Sequence, residues 1–324
     1  MNVYGEKQEN SDPQIRGPEK ATEPAAPGIF NIELTNRCPM SCVMCPRTKH
    51  MTREQGTMEF RLFKKTVDEL LNANPEYIRN RVVWLHHFGE SLLHPEFDRF
   101  ITYAREQGLN TGLSLNPIML DEKRSLKLLE ASPHILYISL DGHDDDSFFA
   151  IRGMKDAYET SKIRLEDFLR VKNENKSPVT VILSMINFSL NEASVQDVRQ
   201  YWESTRGIDG FLLKNFTTWD GNCNDINTLA EKSSNAKPKA VSDIVTCTFP
   251  FDSVTVTWNG DVVPCCFDYN SRYVLGNIGP QTLDEIWTGG PINALRKEFS
   301  SNRVRNPLCR NCEKLREPRH LWQW

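Results

Sequence analysis

The sequence lacks the marks of several protein classes. Its longest largely apolar stretch, Val179–Leu190, is interrupted by polar residues and is too short to span a bilayer as a helix. The first 27 residues hold no apolar segment of the kind found in secretory signals. The 39 Lys and Arg residues do not outnumber the 43 Asp and Glu residues, so the basic excess typical of nucleic-acid-binding proteins is absent. We therefore expect a cytoplasmic protein with no membrane or nucleic-acid partner.

What the 324 residues do contain is an alternation of strand-like and helix-like segments. Strands are predicted over residues 29–35, 81–88, 110–115, 134–140, 179–186 and 207–216. Amphipathic helices are predicted between them, and Asp121, Asp144 and Asn191 are expected to cap three of these helices. Six strands that alternate with helices predict an α/β fold with a parallel sheet, either barrel-like or doubly wound. In both cases the ligand site lies at the carboxyl ends of the strands.

The pattern changes after residue 216. Residues 217–246 are rich in Asn, Asp, Ser, Thr and Lys and are predicted to form a linker with little core of its own. Residues 253–264 then alternate apolar and polar residues around Asn259-Gly260, a pair preferred in two-residue hairpin turns. One helix is expected over residues 282–300. We divide the chain into a flexible tail (1–27), a first domain (28–216), the linker, a small second domain (247–316), and a C-terminal tail (317–324) whose tryptophans are expected to dock on the protein.

Nine cysteines in a chain that is expected to be cytoplasmic favour metal binding or thiol chemistry over disulfides. Cys38, Cys42 and Cys45 follow the first predicted strand with the spacing C-x3-C-x2-C. Three thiolates on one loop are able to hold three irons of a cubic iron–sulfur cluster and to leave the fourth iron open. The alternative is part of a zinc site, for which His50 is the only candidate fourth ligand nearby in the sequence.

A second set, Cys247, Cys265, Cys309 and Cys312, lies in the second domain. Four thiolates suffice to close either a zinc site or an iron–sulfur cluster, and the spacing alone does not choose between them. Cys223 and Cys266 are left over. Cys223 lies in the polar linker and is interpreted as a bystander. Cys266 is either a small buried residue or a substitute ligand beside Cys265.

The first cysteine set belongs to a longer motif. Residues 32–46, with the sequence IELTNRCPMSCVMCP, resemble the cluster loop of radical S-adenosylmethionine (SAM) enzymes. Residues 88–91, FGES, resemble the motif with which that family holds the methionine amino group of SAM, although Phe88 replaces a usual glycine. The resemblance implies a partial (β/α)6 TIM-like barrel in which Cys38, Cys42 and Cys45 hold a [4Fe-4S] cluster.

The same resemblance implies which residues contact SAM. Gly89 and Glu90 are expected at the amino group of its methionine, and Arg152 at the carboxylate. Met44 stands where the family usually has an aromatic residue that packs on adenine. The polar residues at two further strand ends are expected at the nucleoside or the substrate, and these are Ser114, Asn116, Ser139 and Asp141.

The second domain resembles the short "twitch" form of the SPASM domain. The resemblance is carried by Gly260, Cys265-Cys266, the segment LGNI at 275–278, Ile286-Trp287 and the final C-x2-C. It implies that Cys247, Cys265, Cys309 and Cys312 hold an auxiliary [4Fe-4S] cluster through protein ligands alone. Chain length and cluster spacing are most similar to enzymes that modify sugars or aminocyclitols in antibiotic pathways, such as the 2-deoxy-scyllo-inosamine dehydrogenases.

This branch of the family implies a reaction and its partners. A 5′-deoxyadenosyl radical made from SAM takes hydrogen from a carbinol carbon of a small sugar-like substrate, and the auxiliary cluster accepts an electron as a ketone forms. The expected reductant is a flavodoxin- or ferredoxin-type protein. A general base is needed, and the candidates are Lys214, His86 and His87. Glu33 is expected either to bind a substrate hydroxyl or amine, or to form a buried ion pair with Arg37 or Lys214.

Three further functions are left open. In some epimerases of the superfamily a cysteine beside the auxiliary cluster donates a hydrogen atom to the substrate radical, and Cys266 is the candidate for that role. Peptide maturases share the same clusters, but many carry an N-terminal peptide-recognition domain, which residues 1–27 are too short to supply. A zinc-stapled binding protein without catalytic activity is the alternative from a different class.

Overall fold

A parallel sheet of six strands forms the centre of the structure, a computed structural model that describes residues 26–77, 81–187, 189–231 and 243–317. The strands are β1 (Ile29–Ile32), β2 (Val82–Trp84), β3 (Asn110–Leu115), β4 (Ile135–Ser139), β5 (Thr180–Asn187) and β6 (Gly210–Asn215). Their order in the sheet follows the chain, and every neighbouring pair is parallel. A doubly wound sheet would reverse its order at a switch point. The fold is therefore a partial (β/α)6 barrel, as the resemblance implied.

Helices connect the strands and cover the outer face of the sheet. They are α1 (Pro46–Lys49), α2 (Phe60–Ala73), α3 (Phe97–Glu106), α4 (Glu122–Ala131), α5 (Asp145–Arg152), α6 (Tyr158–Glu174), α7 (Val195–Glu203) and α8 (Asn224–Glu231). The buried residues of α2, for example, are Phe63, Thr66, Val67 and Leu70. This three- and four-residue spacing places them on one face of the helix.

Two of the three predicted helix caps are present. Asp121 accepts a hydrogen bond from the amide of Arg124 at the start of α4, and Asp144 and Ser147 form a reciprocal capping box on α5. The prediction for Asn191 is wrong, because α7 begins after Ser194. The Asn191 side chain is buried instead, and its Nδ2 donates to the carbonyls of Asp141 and Ile186. It thus joins the ends of two neighbouring strands.

The second domain extends the same sheet. Strand β7 (Val254–Val256) pairs with β1 in parallel, β8 (Asp261–Val263) pairs with β7 antiparallel, and β9 (Gly276–Asn277) pairs with β8 antiparallel. The predicted hairpin at Asn259-Gly260 is confirmed between β7 and β8, but its loop has three residues, 258–260, because the amide of Thr257 donates to the carbonyl of Asp261 at 2.9 Å. The helices here are α9 (Phe249–Asp252), α10 (Leu283–Trp287) and α11 (Gly290–Ser300). The single helix predicted over 282–300 is therefore wrong. The chain breaks at Gly289, where the backbone is extended and α11 restarts with proline in its first turn.

The segment predicted to be a linker is partly built into the core. Cys223 and Ile226 belong to the main apolar cluster of the protein, and Trp219 and Leu229 pack against it. Residues 217–231 therefore pack against both domains, which corrects the expectation of little core in this part of 217–246. Residues 232–242 lie outside the described residues.

The helices of the described residues include none that is long and apolar enough to cross a membrane. Of the two predicted tails, 1–27 and 317–324, residues 1–25 and 318–324 lie outside the described residues. Docking of the C-terminal tryptophans therefore stays a prediction.

Candidate active site

A cavity of about 330 Å³ lies at the carboxyl ends of the parallel strands. Side chains alternate between the two faces of a strand, so every second residue points into it. The lining residues on or just after the strands are Trp84, His86, Ser114, Tyr137, Ser139, Ser184, Ile186 and Lys214. Leu113, Leu136 and Leu183 alternate with them and are fully buried on the other face. The cavity lies where a parallel α/β fold is expected to hold its ligand.

The three cysteines of the first set all line this cavity. Burial raises the pKa of Cys38 and of Cys45 to about 12, so both thiols stay protonated unless positive charge is brought to them. Arg152 supplies one charge, with Nη1 3.5 Å from Cys42 Sγ. The metal ions of an iron–sulfur cluster supply the rest, since thiols that bind metal lose their protons. The residues present therefore fit a [4Fe-4S] cluster, which Cys38, Cys42 and Cys45 would hold at the wall of the cavity.

The cysteine loop is held in place by the end of α5. The amides of Ser41 and Val43 donate to the carbonyls of Arg152 and Ile151, each at 3.0 Å. Gly153 makes this approach possible, because its φ is +71° and a Cβ at this position would lie 2.6 Å from the Ser41 carbonyl oxygen. The backbone of Arg152 and Gly153 thus positions the loop.

His50, the candidate ligand of the alternative zinc site, is already engaged. Its Nε2 is 2.7 Å from Asp225 Oδ1, on helix α8. Over the four described ranges, no three His, Cys, Asp and Glu side chains are close enough together to bind a single metal ion. A [4Fe-4S] cluster is larger than one ion and each of its cysteine ligands binds a different iron, so its ligands are spaced more widely.

Gly89 and Glu90 form another part of the cavity wall. Gly89 passes so close to the first strand that a Cβ would lie 1.9 Å from the Thr35 carbonyl oxygen, which only glycine avoids. The Glu90 carboxylate accepts hydrogen bonds from the amides of Asn116 at 2.8 Å and Leu92 at 3.2 Å. Burial outweighs these bonds and raises the pKa of Glu90 to about 7. A ligand ammonium group would stabilise this buried carboxylate, which agrees with its predicted contact to the amino group of SAM.

Arg152 and Asp141 form an ion pair in the cavity wall. The second oxygen of Asp141 accepts the amide of Ile186 at 2.7 Å. Nε of Arg152 and Nδ2 of Asn116 are buried and have no hydrogen-bond partner within the part of the chain that the structure describes. Buried donors are normally satisfied, so these two are available to a bound ligand. That Arg152 meets the methionine carboxylate stays a prediction, and the arginine is shared with Asp141.

Three serine hydroxyls form a row across neighbouring strands. Ser114 Oγ lies 3.2 Å from Ser139 Oγ, which lies 3.4 Å from Ser184 Oγ. Lys214, on the next strand, places Nζ 4.7 Å from the ring centroid of Tyr137. Such a row of hydroxyls beside an amine suits a polyhydroxylated ligand, because each hydroxyl both donates and accepts.

Among the candidate bases, Lys214 has an amine that is available to accept a proton from a ligand. It has no hydrogen bond or ion pair with any residue in the described ranges. Burial lowers the pKa of Lys214 to about 8, with Asp141 acting against this shift and Arg152 adding to it. The pKa of Lys214 therefore lies near neutral pH, where a general base is most effective.

The two histidine candidates are occupied by structural contacts. His86 Nδ1 accepts the amide of Ser114 at 3.0 Å, and burial lowers the pKa of His86 to about 3. His87 donates from Nε2 to the carbonyl of Cys266 at 2.9 Å, and its Nδ1 lies 3.4 Å from Glu33 Oε1. Although both line the cavity, Lys214 is the better placed base.

Glu33 lies outside the cavity lining, where it had been expected to meet substrate. It is fully buried and pairs with Arg53 through two hydrogen bonds of 2.5 and 2.6 Å. A buried ion pair is thus present, but the predicted partners Arg37 and Lys214 were wrong. Burial alone would raise the pKa of Glu33, and the two hydrogen bonds and the charge of Arg53 hold it well below its usual range.

The four cysteines of the second set lie close enough to affect one another. Burial raises the pKa of Cys265 well above its usual value, and the charges of neighbouring cysteines add to this, in the order Cys266, Cys309, Cys312 and Cys247. The amide of Cys312 donates to the carbonyl of Cys309 at 3.0 Å, so the C-x2-C pair forms a tight turn. This group of buried thiols fits a second cluster held by protein ligands.

Cys266 differs from the four, because it lines the cavity whereas Cys265 does not. It is buried, and its carbonyl receives the hydrogen bond from His87. Cys223 does not reach the cavity. It is 1% exposed with Sγ 3.4 Å from the hydroxyl of Tyr269, so its side chain is buried although it lies in a loop, and its interpretation as a bystander stays a prediction.

Sequence reasoning missed Trp219. Its ring lines the cavity, and its Nε1 donates to the carbonyl of Met44 at 2.8 Å. Met44 itself is buried and also lines the cavity, at the position expected near adenine. A single tryptophan in a polar segment directly after β6 was the available signal, because that strand ends at the ligand site.

Two family models match the chain. Residues 32–201 match the radical SAM superfamily, and this match covers more than half of the 324 residues. Residues 247–313 match SPASM, described as an iron–sulfur cluster-binding domain.

Three curated relatives align with most of the chain at 23% identity. A tungsten-containing aldehyde ferredoxin oxidoreductase cofactor-modifying protein from Pyrococcus furiosus covers 87% of this chain and 86% of its own length. The alignment with an S-adenosyl-L-methionine-dependent 2-deoxy-scyllo-inosamine dehydrogenase from Niallia circulans covers 88% of this chain and 92% of that protein. The alignment with a PqqA peptide cyclase from Gluconobacter oxydans covers 90% of this chain and 84% of that protein.

Among solved structures, the crystal structure of BtrN in complex with AdoMet and 2-DOIA aligns with 90% of this chain and 94% of that chain. The TM-score is 0.59 at 20% sequence identity. At this identity the similarity shows the shared fold.

Proposed function

The chain belongs to the radical SAM superfamily and carries a SPASM domain, and from this we propose that it oxidises a carbinol carbon of a sugar or aminocyclitol to a ketone. It is an enzyme that uses S-adenosylmethionine and two [4Fe-4S] clusters. When bound, these groups remove a hydrogen atom from the substrate carbon and take up the electron released by its oxidation. The chain itself binds and orients the substrate, excludes water and accepts the hydroxyl proton. We take its reductant to be a flavodoxin- or ferredoxin-type protein.

The observation that supports the proposal most strongly is the amine of Lys214 in the cavity wall. Formation of a ketone breaks the O–H bond of the carbinol, so a base must accept that proton as the C=O bond forms. The half-buried amine of Lys214 lines the same cavity as both Cys42 and Cys266, and its pKa is lowered to about 8. The neutral amine accepts the hydroxyl proton, and the ammonium that results is favoured by the charge of Asp141.

The cavity wall supports a substrate with several hydroxyl or amino groups. The row of Ser114, Ser139 and Ser184 offers hydrogen bonds to vicinal hydroxyls. Trp84 and Tyr137, whose ring centroids are 4.7 Å apart, cover the apolar face that a saturated ring presents. The dehydrogenase relative from Niallia circulans adds support, since its name describes oxidation of such a compound.

An epimerase is the second candidate, and the position of Cys266 favours it. Cys266 lines the cavity next to a cluster ligand of the SPASM domain. A thiol at this position is able to return a hydrogen atom to the substrate carbon from a new direction. The two reactions differ in outcome, because epimerisation leaves the hydroxyl in place.

Anaerobic reconstitution with iron and sulfide, followed by reduction, tests the function. We expect about eight irons and eight sulfides per chain and the release of 5′-deoxyadenosine from SAM. A panel of sugars and aminocyclitols, each deuterated at one carbinol carbon, then identifies the substrate as the compound that transfers deuterium to 5′-deoxyadenosine.

The other outcomes of this experiment are equally clear. Deuterium transfer accompanied by an inverted alcohol supports the epimerase. Deuterium transfer from peptides and from none of the sugars or aminocyclitols contradicts a sugar-like substrate and supports a peptide maturase. Bound zinc without cleavage of SAM contradicts catalysis altogether.

A further inference from the structure

Trp219 has a backbone conformation that its type rarely adopts. Its φ is +58°, in the left-handed region, where a bulky side chain is uncommon. Such a conformation persists only where surrounding contacts impose it, and these positions are concentrated at functional sites. The contacts around Trp219 therefore indicate what the conformation is for.

The second domain imposes this conformation from both sides of the residue. Before it, the hydroxyls of Thr217 and Thr218 donate to the carboxylate of Glu313 at 2.6 and 3.0 Å. After it, the fully buried Asp220 pairs with Arg272 at 2.8 Å. Residues 217–220 are thus fastened at two points to the domain that holds the second cysteine set.

The close approach of Gly221 strengthens this attachment. Its φ is +74°, and a Cβ there would lie 2.1 Å from the Asn311 carbonyl oxygen. Asn311 lies between Cys309 and Cys312, so the segment is pressed directly against the C-x2-C turn.

The side chain of Trp219 reaches in the opposite direction, to the first cysteine loop. Nε1 donates to the carbonyl of Met44, which lies between Cys42 and Cys45. The ring packs against Phe88 and Phe267, with centroid distances of 5.0 and 5.5 Å.

Trp219 therefore contacts one residue beside the predicted SAM-binding motif and one residue beside Cys266. Phe88 precedes Gly89-Glu90, and Phe267 follows Cys266. All three aromatic rings line the cavity, and together we call Phe88, Trp219 and Phe267 the aromatic wall. Phe88 replaces a glycine usual in the family, and the side chain it adds is the one that packs on Trp219.

We propose that Trp219 is a positioning residue, which fixes the SAM-binding cysteine loop through Met44 and closes the cavity between the two cysteine sets. The second domain holds the indole in place, and the indole holds the loop. This inference rests on membership of the radical SAM superfamily and does not depend on which substrate is oxidised.

The two parts of this role are separable by substitution. Trp219→Phe keeps most of the ring but removes the N–H that satisfies the carbonyl of Met44. A hydrogen bond of this kind has a net value that corresponds to a change of about 2- to 10-fold in an equilibrium constant. Trp219→Ala removes the ring as well, so water enters between the two halves of the site.

Trp258→Phe is the matched control. Trp258 is also half-buried and donates from Nε1 to a backbone carbonyl, that of Glu54 at 3.2 Å. It does not line the cavity. Loss of an indole N–H at this position is expected to leave SAM binding unchanged.

The test uses reconstituted holoenzyme with SAM alone and needs no second substrate. We expect Trp219→Phe to raise the Kd for SAM, measured by equilibrium dialysis, by about 2- to 10-fold, while Trp258→Phe does not. Amide hydrogen exchange is expected to become faster over residues 38–48 in Trp219→Phe and to stay unchanged in the parallel strands. Trp219→Ala is expected to show both effects.

The proposal is overturned if Trp219→Phe binds SAM within experimental error of the wild type and leaves exchange over 38–48 unchanged. It is also overturned if exchange rises equally throughout the protein, because that result describes a general loss of stability. A failure of Trp219→Ala to retain its clusters does not alter these criteria, since Trp219→Phe decides them. No carbinol substrate is present in this test, so neither outcome bears on the proposed oxidation, which the deuterated panel tests separately.

Discussion

The Nζ of Lys214 lies 4.7 Å from the centre of the Tyr137 ring, with the strand β5 between the two strands that carry them. The aromatic face holds the amine inside the cavity without neutralising it with a carboxylate contact. Burial there lowers the pKa of Lys214 to about 8. Because of this burial, Lys214 is a cation at low pH and a base at moderately alkaline pH.

The first prediction concerns the pH dependence of oxidation. Since the amine is the active form, kcat/KM is expected to rise with pH and to level off above about pH 8. Lys214→Met is expected to slow ketone formation by roughly 10²- to 10⁴-fold, the usual contribution of a general base. Lys214→Arg stays charged and is expected to lose the pH-dependent rise. A pH–rate profile of all three proteins checks this, and an unchanged profile in Lys214→Met contradicts it.

The stability of Lys214→Met provides an independent check with a defined sign. The pKa of Lys214 is lower in the folded protein than its ordinary value of 10.5. The fold therefore bears the cost of a buried cation below about pH 8, and this cost disappears as the pH rises towards 10.5. We expect Lys214→Met to be at least as stable as the wild type at pH 7, measured by urea unfolding.

The second prediction separates the two candidate reactions at Cys266. If oxidation is the reaction, Cys266→Ala is expected to retain SAM cleavage and ketone formation within a few-fold of the wild type. Cys223→Ala is the control, because Cys223 is also buried but does not line the cavity. Product analysis by mass spectrometry and chiral chromatography checks this. Complete loss of product with intact SAM cleavage in Cys266→Ala alone would instead support hydrogen-atom donation by the thiol.

The third prediction concerns the buried pair of Glu33 and Arg53. Glu33 also accepts the amides of Phe88 and Trp258, each at 3.3 Å, so it joins three segments of chain. Arg53→Met leaves this carboxylate buried without its cation and is expected to destabilise the protein by about 3–5 kcal/mol. Lys64→Met, which breaks an exposed pair with Asp68, is expected to leave the unfolding midpoint nearly unchanged. Equal midpoints for the two variants would show that the pair contributes nothing.

The fourth prediction concerns the glycine beside Glu90. A methyl group at residue 89 would lie 1.9 Å from the Thr35 carbonyl oxygen, so Gly89→Ala must displace backbone. We expect the Kd for SAM to rise roughly tenfold or more, which corresponds to at least about 1.4 kcal/mol. Gly290→Ala is the control, since nothing lies within 4 Å of an added Cβ there. Isothermal titration of SAM into the reconstituted proteins checks this, and equal affinities would refute it.

Much of the fold was predictable because it depends on local pattern. Each of the six parallel strands was expected from apolar runs, and the β7–β8 turn from Asn259-Gly260. The spacing of Cys38, Cys42 and Cys45 also predicted the chemistry, since three cysteines on one short loop are able to bind one cluster. The ends of the strands were less well predicted. β2, for example, is only Val82–Trp84, because pairing with its neighbours and not apolarity decides where a strand stops.

The contacts between distant segments were not predictable. Arg53 is the partner of Glu33 because the loop before α2 folds back over β1, and no periodicity in the sequence encodes that approach. Trp219 was overlooked for the same reason, since its neighbours Met44 and Phe267 come from opposite ends of the chain. The break at Gly289 was different, because the Gly-Gly-Pro sequence there was a visible signal that a helix must stop.

The mass of the product formed in D2O tests the central claim most directly. The deuterated carbinol panel first supplies the substrate, and turnover of its unlabelled form is then followed in D2O. Oxidation predicts a ketone that has lost two hydrogens relative to the substrate and carries no solvent deuterium at the former carbinol carbon. It also predicts one ketone for each 5′-deoxyadenosine. A product that keeps its hydroxyl and gains one solvent deuterium at that carbon would contradict the account, because it requires hydrogen return from an exchangeable donor such as the Cys266 thiol.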